Sequence, residues 1–199
     1  DDTGELHAVK ILDPRNVTRE RRKRVKNEIL FGMKNTHPNI ITVTDYGVYE
    51  DGKKKTPFYV MSRYASTLRS MIIEGIMPEK VLPYFGQILN GLEAAHLQSI
   101  VNRDVKPENI LYAPGEDRLA VADFGIALFE EEELYTAIET KDDKRLANFQ
   151  YAAPEQKQRG QRVDSRTDIF PLGLILNEMF TGQIPLGTGH KTIASVAPA

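Results

Sequence analysis

Cysteine is absent from the 199 residues, which excludes disulfides, thiolate metal sites and cysteine nucleophiles. The absence suits a reducing compartment, and the cytoplasm is the expected location. No run of about 18 apolar residues occurs, so no membrane-spanning helix is expected. Asp1, Asp2, Thr3 and Gly4 lack the basic and apolar regions of a signal peptide. An excess of one charge is missing too: charged residues make up 27% of the chain but cancel to a net charge of −2. Bulk charge therefore gives no reason to expect nucleic acid or a membrane surface as a partner. Internal repeats and low-complexity linkers are also lacking. What is present is enough apolar material, 41% of residues, for a core in a one-domain to two-lobe protein.

The first part of the chain is β-rich. Residues 6–12 read as a strand that begins almost at once, so a pairing partner ahead of it is missing and the N-terminus is read as truncated. A charged helical stretch is expected over 18–34, with Val25, Ile29 and Met33 as the inward stripe and Glu28 beside it. Strands are expected over 40–49 and 58–63, separated by the turn-rich residues 50–57. The pattern then becomes helical: over 79–98, Leu82, Phe85, Leu89, Leu92 and His96 recur at three- and four-residue spacing. Pro83 fits this helix only if it starts just before that residue. Residues 110–112 and 119–121 flank Ala113, Pro114, Gly115, Glu116 and Asp117, which predicts a hairpin. The polar stretch 130–150 has no clear period, whereas 168–181 is apolar on nearly every side and predicts a helix buried within a lobe. No closing element follows it, so the C-terminus is read as truncated as well.

Certain polar residues point to chemistry. On a strand, Ala8, Lys10 and Leu12 share one face, so Lys10 has apolar neighbours and needs an anion. Glu28 is the nearest candidate, and a phosphate could share the lysine; the alternative is an edge lysine that reaches water. Val101 to Leu111 packs Asn102, Arg103, Asp104, Lys106, Glu108 and Asn109 between a helix and a strand. Asp104 can orient a hydroxyl and accept its proton, Lys106 can neutralise a moving phosphoryl group, and Asn109 offers a hard oxygen to a metal. An ordinary polar turn is the bland alternative. Asn109 and Asp123 are equidistant from residue 116 in the hairpin and are expected side by side at its open end. There they would hold a divalent cation or, alternatively, hydrogen-bond to close the hairpin. Phe124 and Gly125 complete Asp-Phe-Gly.

With these pieces in order, the chain resembles the protein kinase family. The matching residues are Ala8-Val9-Lys10, Glu28, the run from Asn102 to Asn109, Asp123-Phe124-Gly125, Ala153-Pro154-Glu155 and Asp168. The resemblance implies an α+β, bilobal fold: residues 1–63 as a partial small β-rich lobe and 64–199 as a partial, larger helical lobe. It implies that Asp104 orients the substrate hydroxyl, that Lys106 stabilises the transferring phosphoryl group, and that Asn109 and Asp123 hold Mg2+ or Mn2+. Lys10, fixed by Glu28, would position the phosphates of ATP. Met61 would guard the nucleotide pocket, with Ser62 to Tyr64 as the hinge facing adenine. Lysine two places after the catalytic aspartate is the serine/threonine pattern, and the flanking motifs resemble bacterial members, so protein substrates bearing Ser or Thr are implied. A kinase-shaped binding module without chemistry is the alternative function. A phosphotransferase acting on small molecules is another, which Ala153-Pro154-Glu155 and the long segment before it disfavour.

Departures from the family pattern carry expectations of their own. No glycine-rich loop precedes Lys10, and Gly4 alone cannot serve as one. The closing helices with the arginine partner of Glu155 are missing, which would leave Glu155 unpaired. The 199 residues alone are therefore expected to be inactive although the intact protein is a kinase. Asn102 replaces the usual histidine, and Gly32 falls where a bulky apolar residue is usual; the packed column linking the lobes is expected to lose roughly 1–3 kcal/mol. Asn148 stands where a threonine is usual. Arg103 suggests a phosphate-ordered segment with Thr136 or Thr140 as acceptor, or a permanent charge from one of Glu130 to Glu133; a solvated acidic run is the bland reading of those glutamates. Arg19, Arg21, Arg22, Lys23, Arg24 and Lys26 read as a solvated helix face, with partner docking as the minority reading.

Overall fold

The computed structural model describes residues 6–11, 19–52, 54–124, 150–157 and 163–184, with the side chains of 19–25, 51 and 54 excepted. Gly4, Leu12, Gly125, residues 130–133, Thr136, Thr140 and Asn148 lie outside the described residues, as do the side chains of Val25 and of most of the basic cluster.

Strands β1 (His7–Ile11), β2 (Val43–Asp51) and β3 (Lys54–Ser62) form an antiparallel sheet in the order β1-β3-β2. The hairpin between β2 and β3 is tighter than expected, since Asp51 pairs with Lys54. Pro57 is tolerated inside β3 because it lies beyond the described pairing with β1, which ends at Ile11 opposite Phe58. Ile40 and Ile41, expected to begin a strand, are instead buried ahead of β2. Ile40 bridges Val121 in parallel, and the Ile41 N–H donates to the Val121 carbonyl at 3.1 Å. This joins the first sheet to the second, formed by β4 (Ser66–Thr67), β5 (Ile110–Ala113) and β6 (Arg118–Val121).

Helix α1 (Arg19–Lys34) covers the first sheet, but Met33 is 42% exposed and does not continue the inward stripe from Ile29. Positions spaced strictly by four precess about 40° per step around a helix, so the third leaves the face. Glu28 and Phe31 are buried there with Ile29. Gly32 leaves no gap either: a Cβ on it would stand 2.5 Å from Val43 Cγ2, so the helix approaches β2 closely because the side chain is missing. The expected loss of packing at this position is thus not found.

Helix α2 (Leu68–Glu74) was not foreseen; its seven residues are too few for a clear period, but the Thr67 hydroxyl caps it by accepting from the Ser70 N–H. Helix α3 (Pro78–His96) starts earlier than expected, which places Pro83 inside it at the cost of one helical hydrogen bond. Its buried face carries Val81, Tyr84, Ile88, Gly91, Leu92 and Ala95, whereas Leu82 and Leu89 are exposed. The inward stripe lies one residue earlier than expected, except at Leu92, which is buried as expected. Gly91 fixes the rotation, because a Cβ there would meet the Asn39 carbonyl at 2.3 Å.

Helix α4 (Ile169–Thr181) buries Leu172, Ile175, Glu178 and Met179 against the core, but Ile169 and Phe180 are more than half exposed among the described residues. It is therefore amphipathic here, not buried all round. One hydrophobic cluster joins α3, α4 and the β5–β6 hairpin to Phe31 and Phe124; a smaller one lies under the first sheet around Ile29, Val43 and Tyr59. The result is the expected α+β arrangement, with the functional residues where the two clusters meet.

Candidate active site

The loop from Asn102 to Asn109 is anchored from below. Asp168, fully buried at the entrance to α4, accepts the Arg103 N–H on Oδ1 at 2.7 Å, and its Oδ2 accepts the Asn102 N–H at 2.9 Å and lies 2.7 Å from His96 Nε2. A buried carboxylate met by three nitrogens is well compensated. Arg103 has φ +68° and Asp123 φ +59°, conformations a non-glycine residue adopts only when its surroundings impose them. Asn102, also fully buried, donates from Nδ2 to the Ala122 carbonyl at 3.1 Å and accepts the Asp104 N–H on Oδ1 at 3.1 Å. The residue that departs from the expected histidine thus clamps the end of β6 to the backbone of Asp104.

Asp104 Oδ2 receives Lys106 Nζ at 2.7 Å and Asn109 Nδ2 at 2.7 Å, and the same amide donates to the Asp104 carbonyl at 2.9 Å. Burial raises the Asp104 carboxyl above its ordinary range and Asp123 adds to this, while Lys106 and Asn109 pull it down. A carboxylate held this way can accept a proton from a hydroxyl placed beside it. Asn109 and Asp123 do not face each other across the hairpin. The register pairs Ile110 with Val121, and the Ala122 N–H donates to the Asn109 carbonyl at 2.8 Å, so Asp123 is the next residue beyond Asn109's partner. The turn is centred half a residue earlier than the sequence symmetry suggested.

Lys10 projects from β1 to the same place. Its ammonium makes a direct ion pair with Asp123 and lies 3.7 Å from Glu28 Oε1. Glu28 is 4% exposed; Tyr59 Oη donates to its Oε1 at 3.0 Å, and its Oε2 is buried without a partner. Burial pushes the Glu28 carboxyl up to about 7 against the pull of Lys10, and the Asp123 charge pushes it the same way as burial. The edge-lysine alternative is excluded by these contacts. Met61 pairs with Ala8 of β1 and packs on the smaller cluster, Ser62 is exposed at the end of β3, and Tyr64 packs beneath the Arg118 guanidinium.

The segment that returns to the loop is tied down as well. Gln156 Nε2 donates to the Arg103 carbonyl at 2.8 Å and its Oε1 accepts the Ala153 N–H at 3.0 Å. Glu155 is not left unpaired: the Thr167 hydroxyl donates to it at 2.9 Å. A further cluster escaped the sequence reading. Arg69 donates to Glu108 at 2.6 Å, to the Tyr151 hydroxyl at 2.7 Å and to Glu178, and Tyr151 in turn donates to the buried Glu178. Its members are scattered from residue 69 to 178; the one available signal was a glutamate on the apolar helix 168–181.

The family model for the protein kinase domain matches residues 1–197. This chain belongs to the protein kinase family. It is 36% identical over 164 residues to a probable serine/threonine-protein kinase of Clostridium acetobutylicum, covering 80% of this chain and 23% of that protein. It is likewise 36% identical over 190 residues to serine/threonine-protein kinase A of Synechocystis, covering 88% of this chain and 34% of that protein. Serine/threonine-protein kinase PrkC of Bacillus subtilis is 34% identical over 153 residues, covering 75% of this chain and 22% of its own length. The chain thus spans between about a fifth and a third of the length of these curated relatives.

Protein kinases use ATP and a divalent metal, and the donors present fit both. Asp123 is a hard carboxylate, and because Asn109 Nδ2 is committed to Asp104, the amide oxygen is the atom Asn109 offers. Among the described residues no group of three His, Cys, Asp or Glu side chains could hold a metal by itself. Phosphate oxygens would complete the shell, as Mg2+ prefers. Lys10, already between two carboxylates, is a cation that a phosphate could share.

Proposed function

We propose that the protein transfers the γ-phosphoryl group of ATP to serine or threonine hydroxyls of protein substrates. The observation that carries this reading is Asp104, whose carboxylate is held by Lys106 and Asn109 on a loop fixed by Asp168. Asp104 orients the incoming hydroxyl and takes its proton as the new oxygen–phosphorus bond forms and the bond to the nucleotide breaks. Lys106, 2.7 Å from the Asp104 carboxylate, shares the charge that spreads over the moving group. Asn109 and Asp123 are the residues that would hold the metal, Mg2+ on the chemistry of its oxygen donors with Mn2+ as the alternative; when bound, the ion neutralises phosphate charge as a Lewis acid. Lys10 and Glu28 position the phosphates, with Met61, Ser62 and Tyr64 lining the adenine side and the lobe boundary falling near residue 63. Serine/threonine specificity is supported by Lys106 two residues after Asp104 and by the names of the relatives.

The test is to incubate the full-length protein with γ-labelled ATP and Mg2+ and identify the labelled amino acids. Label on serine or threonine is expected. Label confined to small molecules, or none at all with nucleotide bound, would overturn the reading.

A further inference from the structure

Three side chains share one face of the first sheet at a single register position: Lys10 on β1, Tyr59 on β3 and Tyr46 on β2. Tyr59, at the centre, is completely buried, and the Lys10 ammonium lies 5.6 Å from its ring centroid. Helix α1 brings Glu28 down on this face, where the Tyr59 hydroxyl donates to Oε1 at 3.0 Å. Lys10, by contrast, stands 3.7 Å from that oxygen and spends its direct contact on Asp123. Glu28 Oε2 has no partner. The group that holds this buried carboxylate in place is therefore the tyrosine more than the lysine.

The arrangement has a consequence for Lys10. An ammonium that pairs with Asp123 must turn to phosphate when Asp123 turns to a metal, and a stationary second carboxyl acceptor keeps it over the site during that exchange. Glu28 can be stationary only if something other than Lys10 fixes it. A neutral hydroxyl does so without competing for the ammonium, and burial beside two carboxylates keeps the Tyr59 proton on its oxygen. A core aromatic with no such duty would be served equally well by phenylalanine.

We infer that Tyr59 is a positioning residue of the nucleotide site, whose hydroxyl fixes Glu28 so that Lys10 stays available to the phosphates of ATP. The inference rests on the reading of Lys10 as the phosphate-binding lysine. Its test uses the full-length protein and calorimetric affinity for ATP with Mg2+, measured for wild type, Tyr59→Phe, Glu28→Ala and the double variant, with folding checked by circular dichroism. Tyr59→Phe keeps the ring and removes one hydroxyl. It is expected to weaken ATP about tenfold, the scale of a lost hydrogen bond to a charged group, and to have no further effect once Glu28 is alanine. KM for ATP should rise by a similar factor with kcat changed less.

An unchanged affinity in Tyr59→Phe overturns the inference, as does an equal loss in both backgrounds, which would mean the tyrosine acts through packing alone. Lys10→Ala separates the two levels. If it binds ATP as wild type does, the underlying reading of the site fails and the inference with it; if it binds weakly while Tyr59→Phe does not, only the inference fails. Should Tyr59→Phe not fold, Glu28→Gln offers the second route. Its amide oxygen can still accept from Tyr59, so it is expected to weaken ATP less than Glu28→Ala; an equal loss counts against the clamp.

Discussion

Phe31 of α1 meets Phe124 edge to face, with ring centroids 5.0 Å apart. Phe31 follows Glu28 by one helical turn and Phe124 adjoins Asp123, so one aromatic contact fixes the helix that carries the lysine's partner against the residue next to the metal-binding candidate. Phe31→Ala is expected to cost about 3 kcal/mol of stability and to raise KM for ATP through misplacement of Glu28. Thermal unfolding and ATP titration of the same sample check both effects.

Gly32 makes the opposite case. Because a Cβ there would stand 2.5 Å from Val43 Cγ2, Gly32→Ala should destabilise the fold by about 1–3 kcal/mol in spite of alanine's better helix propensity. Adding Val43→Ala should recover part of that loss. Denaturant midpoints of the two single variants and the double variant give the answer, and additivity would contradict the packing described.

Asn102 uses both ends of its amide, on the Ala122 carbonyl and the Asp104 N–H. Asn102→Ala leaves both groups without that partner in a buried site, at about 2 kcal/mol of stability, and should lower kcat more than it raises KM. Asn102→Asp would set a buried carboxylate oxygen against the Ala122 carbonyl and should cost more than Asn102→Ala.

Glu28 gives stability a pH dependence of known sign. Its carboxyl is raised from 4.5 to about 7, so between these values the folded state holds a proton that the unfolded state has released. The contribution is fully present below about 4.5 and is lost as pH rises through about 7; it amounts to about 3 kcal/mol at most. Chemical denaturation between pH 5 and 8, roughly the window that straddles the shifted group, should show stability falling with pH. Glu28→Gln should flatten that slope.

Arg69 is the sole described cation bonded to buried Glu178. Removing it in Arg69→Ala leaves that carboxylate with Tyr151 as its described partner and no described counter-charge, and should cost about 3 kcal/mol. Proteolysis near Tyr151, compared between wild type and variant, would show whether the returning segment loosens with it.

Much of the site was legible because its chemistry is carried by short runs. Asp104, Lys106 and Asn109 lie close in sequence, and the turn at Pro107–Asn109 brings them together. Lys10 and Glu28 followed from the need of a half-buried ammonium for an anion. Faces of helices were less legible. In α3 the neighbouring stripes through Val81 and Leu82 are both apolar, and the close approach of Asn39 to Gly91 decides between them; that contact spans about fifty residues and leaves no local mark. The same holds for Tyr59, which reads as one more strand aromatic until Glu28 is placed above it. The size of Asn102 points to a loss of packing, whereas its two hydrogen bonds depend on where Ala122 and Asp104 lie.

If Asp104 serves phosphoryl transfer, Asp104→Asn in the full-length protein, assayed with labelled ATP and Mg2+, must lose activity while keeping its fold. Asparagine preserves shape and removes the proton acceptor. Incorporation into serine and threonine is expected to fall by about a hundred- to ten-thousand-fold, while ATP affinity and the unfolding temperature change little. Incorporation at the wild-type rate by the folded variant would contradict that role.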